Sequence, residues 1–207
     1  TPYDALVEVS NGKFYGLCRD GGLNGNGLGT LFEYDLATNT ITKKVNFTGP
    51  NGENPEGGLV KAPNGKLYGV TRRGGAYSYG ILFEYDHATN VFTKKIDFGI
   101  TSLAPSEPVA SLALSANGKL YGSTVLGGSG GKGVLFEFDP TSNAFVKKHD
   151  FIGSNGASLL YGRLTFVKAD QTITFNSLAA KNVNDPAFSL TASSTSLLPI
   201  TFSSSNT

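Results

Sequence analysis

The chain has 207 residues, of which 39% are hydrophobic and 16% charged, enough to bury a core and too apolar to stay disordered. Seventeen Lys and Arg against sixteen Asp and Glu leave a net charge of +1, which removes the electrostatic case for a nucleic acid or anionic-membrane partner, and no apolar stretch approaches the roughly 20 residues of a spanning helix. Twenty-seven glycines, 14 Phe and 9 Tyr, without Trp or Met, describe an all-β chain rich in turns.

The first residue is Thr1 and no basic-apolar-small signal precedes it, so any export signal is expected to have been removed already. Pro2 stands four residues before Leu6, where a unit opens, and Pro55 and Pro108 stand likewise before Leu59 and Leu112. Asn11-Gly12-Lys13 returns as Asn64-Gly65-Lys66 and Asn117-Gly118-Lys119, at spacings of 53 and 53. Leu31-Phe32-Glu33-Tyr34-Asp35 returns at Leu82–Asp86 and Leu135–Asp139, at 51 and 53, and Lys43-Lys44 and Phe47 keep those spacings. A fourth opening follows at Leu164, after which the pattern breaks. Cys18, the single cysteine, stands where the later copies carry Thr71 and Thr124; it reads as a small residue on a half-buried strand rather than a reactive thiol.

Within the second copy the pattern predicts strands over 59–62, 66–71, 81–86 and 91–98. Pro63-Asn64-Gly65 makes the first turn, expected to be type I′ because Asn-Gly tolerates two positive φ angles. A glycine-rich loop spans 72–80, and Asp86 to Asn90 forms the next turn, with Asx side chains bonding nearby amides. Helical periodicity is absent. Four antiparallel strands in about 50 residues is the measure of a β-propeller blade. One such sheet has two apolar faces and needs neighbours on both. Closure takes about four to eight blades, so three units and a partial fourth call for further units of a longer chain or other material.

The stretch from Asn64 to Asp86, with Gly65-Lys66-Leu67-Tyr68-Gly69-Val70-Thr71, a Gly74-Gly75 loop and Gly80-Ile81-Leu82-Phe83-Glu84-Tyr85-Asp86, resembles the GloVer tandem repeat of bacterial exported proteins. All three copies carry it, over roughly residues 6 to 165. The resemblance implies propeller-like blades on a secreted or surface-anchored protein and supplies no ligand. The repeat region is accordingly bounded at 1–169.

From Asp170 the composition turns to Ser, Thr and Ala. Gln171 to Phe175, Asn184-Asp185-Pro186, Phe188 to Ala192 and Leu198 to Asn206 resemble the opening of an MBG-type bacterial immunoglobulin-like repeat. Alternation at Ile173 and Phe175, and at Phe188, Leu190 and Ala192, fits half-buried strands. A sandwich domain takes about 100 residues, so 170–207 reads as a partial β-sandwich module, with a degenerate fourth blade as the alternative.

The repeated acids Glu33, Glu84, Glu137 and Asp35, Asp86, Asp139 invite a catalytic reading, but acid–base chemistry needs two carboxyls in unlike environments. Identical residues in every unit point instead to turns and to cross-strand pairing with the Lys-Lys strand. The Lys-Lys pairs read as a solvated edge that blocks sheet-to-sheet pairing. His87 and His149 lack neighbours at ligand spacing, so no metal is expected. Gly127 to Gly131 precedes a strand rather than a helix, which rejects a phosphate cradle, and no G-x-S-x-G occurs. No cofactor is expected.

Residues that differ between copies are the better site candidates, since a site on a pseudo-symmetric scaffold lies in its departures from symmetry. The loop after the second strand carries Arg19 in the first copy, and Arg72, Arg73, Tyr77 and Tyr79 in the second. Arg beside Tyr suits sugars or acidic groups. The expectation is a non-catalytic adhesion or recognition module, binding a glycan or surface partner. By analogy with Bacteroidota surface proteins it would be cargo of a type IX secretion route. A glycan-cleaving propeller enzyme and a passive spacer are the alternatives.

Overall fold

A computed structural model describes residues 4–10, 12–22, 27–101, 104–157, 173–175 and 192–194. It divides into two compact parts, residues 1–166 and 167–207. Among the described residues every regular element is a strand.

The first part is three successive antiparallel sheets. Unit 1 comprises β1 (Val7–Ser10), β2 (Lys13–Cys18), β3 (Thr30–Asp35) and β4 (Thr40–Asn46), in that spatial order. Unit 2 repeats it with β5 (Val60–Lys61), β6 (Leu67–Thr71), β7 (Ile81–Asp86) and β8 (Val91–Asp97). Unit 3 opens with β9 (Ser106–Pro108), which pairs with the far end of β11 (Leu120–Leu126); β10 (Ala113–Leu114), β12 (Val134–Phe138) and β13 (Phe145–Asp150) complete it. The bridge between Glu53 and Arg73 is the counterpart of β9 in unit 2. Units 1 and 2 thus have the four strands that the 53-residue pattern predicts, and unit 3 adds β9 as a fifth.

The first hairpin differs from expectation. Gly65 and Gly118 both sit at φ +81°, but Asn64 and Asn117 do not have positive φ. Ala62 N–H donates to Lys66 O at 3.0 Å and Gly65 N–H to Ala62 O at 2.9 Å. The loop is therefore three residues, a type I turn closed by a left-handed glycine, not a type I′ turn. In unit 2 Pro63 has no N–H to donate to Lys66 O, as a two-residue turn over Asn64-Gly65 would require, and the bond is made by Ala62 instead. Asn64 and Asn117 act through their side chains, accepting the Lys66 and Lys119 amides at 3.1 Å.

Strand alternation gives each sheet a far face, toward the following unit, and a near face, toward the preceding one. Val9, Tyr15, Leu17, Leu31 and Phe47 of unit 1 pack on Leu59, Leu67, Ile81, Phe83 and Tyr85 of unit 2. Ala62, Tyr68, Val70, Leu82 and Phe98 of unit 2 pack in the same way on Leu112, Leu120, Phe136 and Phe138 of unit 3. The core therefore lies between units rather than within them, which is why one unit alone has nothing to bury against. The glycine of the Leu-Tyr-Gly strand lets a phenyl ring lie across the sheet. A Cβ on Gly69 would stand 2.6 Å from Phe83 Cζ, and one on Gly122 would stand 2.3 Å from Phe136 Cζ.

In the second part β14 (Ile173–Phe175) pairs antiparallel with β15 (Ala192–Ser194), Phe175 opposite Ala192. Leu164, the Asn184-Asp185-Pro186 turn, Phe188 and Leu190 lie outside the described residues.

Candidate functional site

The repeated acids occupy the same node in each unit. Lys66 Nζ meets Glu84 Oε1 at 2.8 Å, the Tyr68 hydroxyl donates to Oε2 at 2.5 Å, and Lys95 Nζ stands 3.1 Å from Oε2. Glu33 is held by Lys13 at 3.2 Å, Lys44 at 3.3 Å and Tyr15; Glu137 is held by Lys119 at 2.7 Å, Lys148 at 3.5 Å and Tyr121 at 2.5 Å. Each glutamate is buried. Burial by itself raises the Glu33 and Glu84 carboxyls, but the Tyr and Lys donors outweigh it and the net displacement is downward. Glu137, with hydrogen bonds from Lys119 and then Tyr121 as the leading causes, is brought down to about 2.

A bulge builds this node. In each outer strand the pairing skips one residue, leaving Lys44, Lys95 or Lys148 as the extra one. Its ammonium turns onto the glutamate, so the second lysine of each pair is tied to the sheet rather than solvated at its edge. The first lysine stays outside; Lys94 and Lys147 meet Asp97 and Asp150 at 2.9 Å. Asp35, Asp86 and Asp139 each accept two amides of the following turn, at 2.8 to 3.4 Å. All six repeated carboxylates thus make turn or cross-strand contacts.

The candidate arginines sit elsewhere, on an ion-pair ladder between units. Arg19 Nε donates to Glu56 Oε1 at 2.9 Å, and Arg72 Nη1 approaches the same oxygen at 3.5 Å. Arg72 Nε and Nη2 both reach Glu107 Oε2 at 3.1 Å. Glu56 has only 2% of its side chain exposed and its Oε2 is buried without a partner among the described residues. Glu107 holds its carboxylate from a left-handed backbone, φ +56°, where unit 2 has Asn54 at +51°; its N–H donates to Tyr79 O at 2.9 Å. Arg19 and Arg72 are therefore brought together, on one carboxylate that the repeat pattern does not reveal. Glu56 stands where the other copies have Tyr3 and Val109, and that departure is the signal that could have found it. Beyond the ladder, Ser111 Oγ accepts Gly58 N–H at 2.8 Å and donates to Asp4, so segments of all three units meet there.

Arg73 lies exposed on the same loop, its backbone bridged to Glu53. Tyr77 and Tyr79 are 42% and 46% exposed. Tyr79 lies against Gly99, where no side chain would fit, a Cβ there falling 2.4 Å from its Cδ2. It borders a groove of about 530 Å³ between units 2 and 3, shared with Ile100, Thr101, Ser106 and Leu126. The corresponding groove between units 1 and 2, about 460 Å³, is lined by Glu53 and Lys94 among glycines. Arg73 and Tyr77 border neither groove. The two grooves differ because nine residues connect Phe98 to Pro108, against seven between Phe47 and Pro55. Leu126 also replaces the residue that is Arg73 in unit 2. His87 packs near Tyr15 and His149 bonds Asn155 at 2.8 Å; among the described residues no cluster of three metal-ligating side chains forms.

Three sheets sharing one bulge, one buried Tyr-Glu-Lys node and one inter-unit core define a tandem-repeat β protein. The chain belongs to the Gloeobacter/Verrucomicrobia repeat family, whose pattern it matches over residues 1–182. Two solved structures are similar to it at low identity. TolB from Acinetobacter baumannii is 12% identical with a TM-score of 0.43, covering 70% of this chain and 32% of its own. The tricorn protease is 14% identical with a TM-score of 0.41, covering 82% of this chain and 14% of its own. This chain thus spans about a third and a seventh of those two proteins. No curated protein matches it by sequence.

Proposed function

We propose that this chain is a non-catalytic recognition segment of a large bacterial surface protein, binding a glycan or surface partner through the loops between its units. The observation that carries this reading is the division of labour among residues. Positions that recur in every unit hold turns, bulges and sheet stacking, whereas the residues that break the pattern gather on loops 72–80 and 99–107 and make two unlike grooves. Of the two, the groove beside Tyr79 is the better ligand site: an exposed ring, apolar Ile100 and Leu126 and the hydroxyls of Thr101 and Ser106 suit the apolar face and hydroxyls of a sugar. Arg73 and Tyr77, exposed on the same loop but outside the groove, are secondary candidates.

In the same reading the three sheets are blades of a β-propeller with a partial fourth at Leu164, completed by further units. Residues 170–207 begin an immunoglobulin-like module, and the protein is exported as cargo of a type IX route, by analogy with surface proteins of this style. The test is binding of the purified chain to a glycan panel and to bacterial surface extracts, with product analysis on the same glycans. The expected result is binding reduced about tenfold by Tyr79→Ala, with no product. Product release would favour the glycan-cleaving alternative, and binding indifferent to Tyr79→Ala would remove the groove.

A further inference from the structure

Tyr79 stands on backbone that its own side chain does not anchor. Its equivalent Leu28, which likewise precedes the glycine before a third strand, is half-buried and packs against the core of the first junction. Tyr79 is 46% exposed, with its ring against Gly99. The residues on either side of it are left-handed, Ser78 at φ +63° and Gly80 at +98°. Gly80 N–H donates to Gly74 O at 3.0 Å and closes the loop on itself. Across the junction, Tyr79 O accepts Glu107 N–H at 2.9 Å, which joins the loop of unit 2 to β9 of unit 3.

Glu107 makes that bond from a backbone that L side chains rarely adopt, at φ +56°. Its neighbours Ser106 and Pro108 pair with Leu126 and Thr124 of β11, so β9 holds its own sheet by one side and unit 2 by the other. The Glu107 carboxylate is tied down by Arg72, whose Nε and Nη2 both reach Oε2 at 3.1 Å. Arg72 opens the same loop, 72–80, in which Tyr79 lies. The result is a closed circuit: Arg72 guanidinium to Glu107 carboxylate, Glu107 amide to Tyr79 carbonyl, and the loop back to Arg72.

The first junction closes the same circuit by other means. Asn54, at φ +51°, donates its N–H to Leu28 O at 2.7 Å and its Nδ2 to the backbone O of Arg19 at 3.3 Å. That tie ends on the main chain, so it does not depend on the arginine side chain. At the second junction a side-chain tie replaces it, and the placement of residue 79 comes to depend on Arg72.

We propose that Arg72 is the positioning residue of the Tyr79 groove: by holding Glu107 left-handed it fixes the exposed ring over Gly99, where a sugar would stack. The inference rests on the reading of that groove as the ligand site. Arg72 borders neither groove, so its effect on a ligand passes through Glu107 and Tyr79 rather than through contact.

The test reads the ring before any ligand is added. The Gly99 Hα that faces Tyr79 feels the ring current of that side chain, so its NMR shift difference between the wild-type chain and Tyr79→Ala measures full placement. Arg72→Met removes the guanidinium and keeps the bulk, and is expected to move Gly99 most of the way to its Tyr79→Ala value. Glu107→Ala cuts the circuit at its other end and is expected to do the same; amide spectra show that each variant is folded. Adding Glu107→Asn to Arg72→Met installs the main-chain tie used by Asn54 and is expected to restore the wild-type shift. With the tightest-binding glycan of the panel, affinity falls about tenfold in the single variants and recovers in the double. A Gly99 shift unmoved by both single variants overturns the proposal. So does a shift lost in Arg72→Met and not restored by Glu107→Asn, since Arg72 then acts through Glu56. An affinity that stays low in the double variant while the shift recovers assigns Arg72 to direct ligand contact and overturns its positioning role. The expected series of shifts in a chain that binds no glycan upholds the circuit and removes the ligand reading alone.

Discussion

Gly16, Gly69 and Gly122 offer one perturbation in three environments. Adding a methyl group to each creates nearly the same clash: 2.5 Å to Leu6 Cδ2 and 2.8 Å to Phe32 Cζ at Gly16, 2.6 Å to Phe83 Cζ at Gly69, and 2.3 Å to Phe136 Cζ at Gly122. None of the three has positive φ, so the cost is displacement of the ring. Phe83 has nowhere to move, since Phe47 lies 5.6 Å away and Phe92 5.2 Å away. Overpacking such a site costs about 1–3 kcal/mol, less about 0.5–1 kcal/mol recovered because alanine has less backbone freedom to lose than glycine. A net loss of about 1–2 kcal/mol is expected for Gly69→Ala and Gly122→Ala, or about 2–8 °C in Tm for a chain of this size. At Gly16 the half-buried Phe32 ring and Leu6, 43% exposed where Leu59 and Leu112 are 8% and 3%, swing outward, and the two terms cancel to within about 0.5 kcal/mol. Urea denaturation followed by circular dichroism measures all three. Equal losses at Gly16 and Gly69 would refute the claim that Phe32 and Leu6 are free to move where Phe83 is not.

Acid should unfold the repeats through their glutamate nodes. Glu33, Glu84 and Glu137 are held below their ordinary value of 4.5, Glu137 at about 2, so their contribution is present above pH 4.5 and is lost as pH falls through the folded values. Tyr68→Phe removes a donor from Glu84 and should move the acid midpoint, read by circular dichroism, to higher pH. Glu56→Gln leaves Arg19 and Arg72 short of their shared carboxylate and should cost about 1–3 kcal/mol in urea melts, less in 1 M salt. Thr71 and Thr124 each donate to a carbonyl two residues on, at 2.8 Å, and accept the first amide of the third strand. Cys18 has no comparable hydroxyl, so Cys18→Thr should stabilise unit 1 by about 0.5–1 kcal/mol in the same assay.

Repetition made the strands, the turns and the cross-strand role of the glutamates legible, because three copies report which residues the fold requires. Tyr15, Tyr68 and Tyr121 were visible as a motif, but their hydroxyls on the carboxylates were not, since a bulge decides which lysine reaches that face and spacing cannot reveal a bulge. The Asn-Gly hairpin departs from type I′ in unit 3 as well, where Ala116 precedes Asn117, because Asn-Gly fits equally the last two positions of a three-residue loop, and the dipeptide alone does not set the loop length. Among the site candidates, Arg19 and Arg72 were found by their departure from the pattern, and their partners Glu56 and Glu107 depart from it too. Those carboxylates lie 37 and 35 residues from the arginines they bind, and only the stacking of the units brings them together.

That stacking also explains why the departures matter. A core shared between units obliges each sheet to present the same two faces, so the faces and nodes have no freedom to acquire a ligand. The junction loops have that freedom, because a connection lengthened by two residues leaves Phe98 and Pro108 in place at its ends. Its effect is local: Ile100 and Thr101 enter one groove, while the groove before it keeps a Glu53 and Lys94 lining. Variation confined in this way gives each junction its own surface without altering the interface that holds the row together.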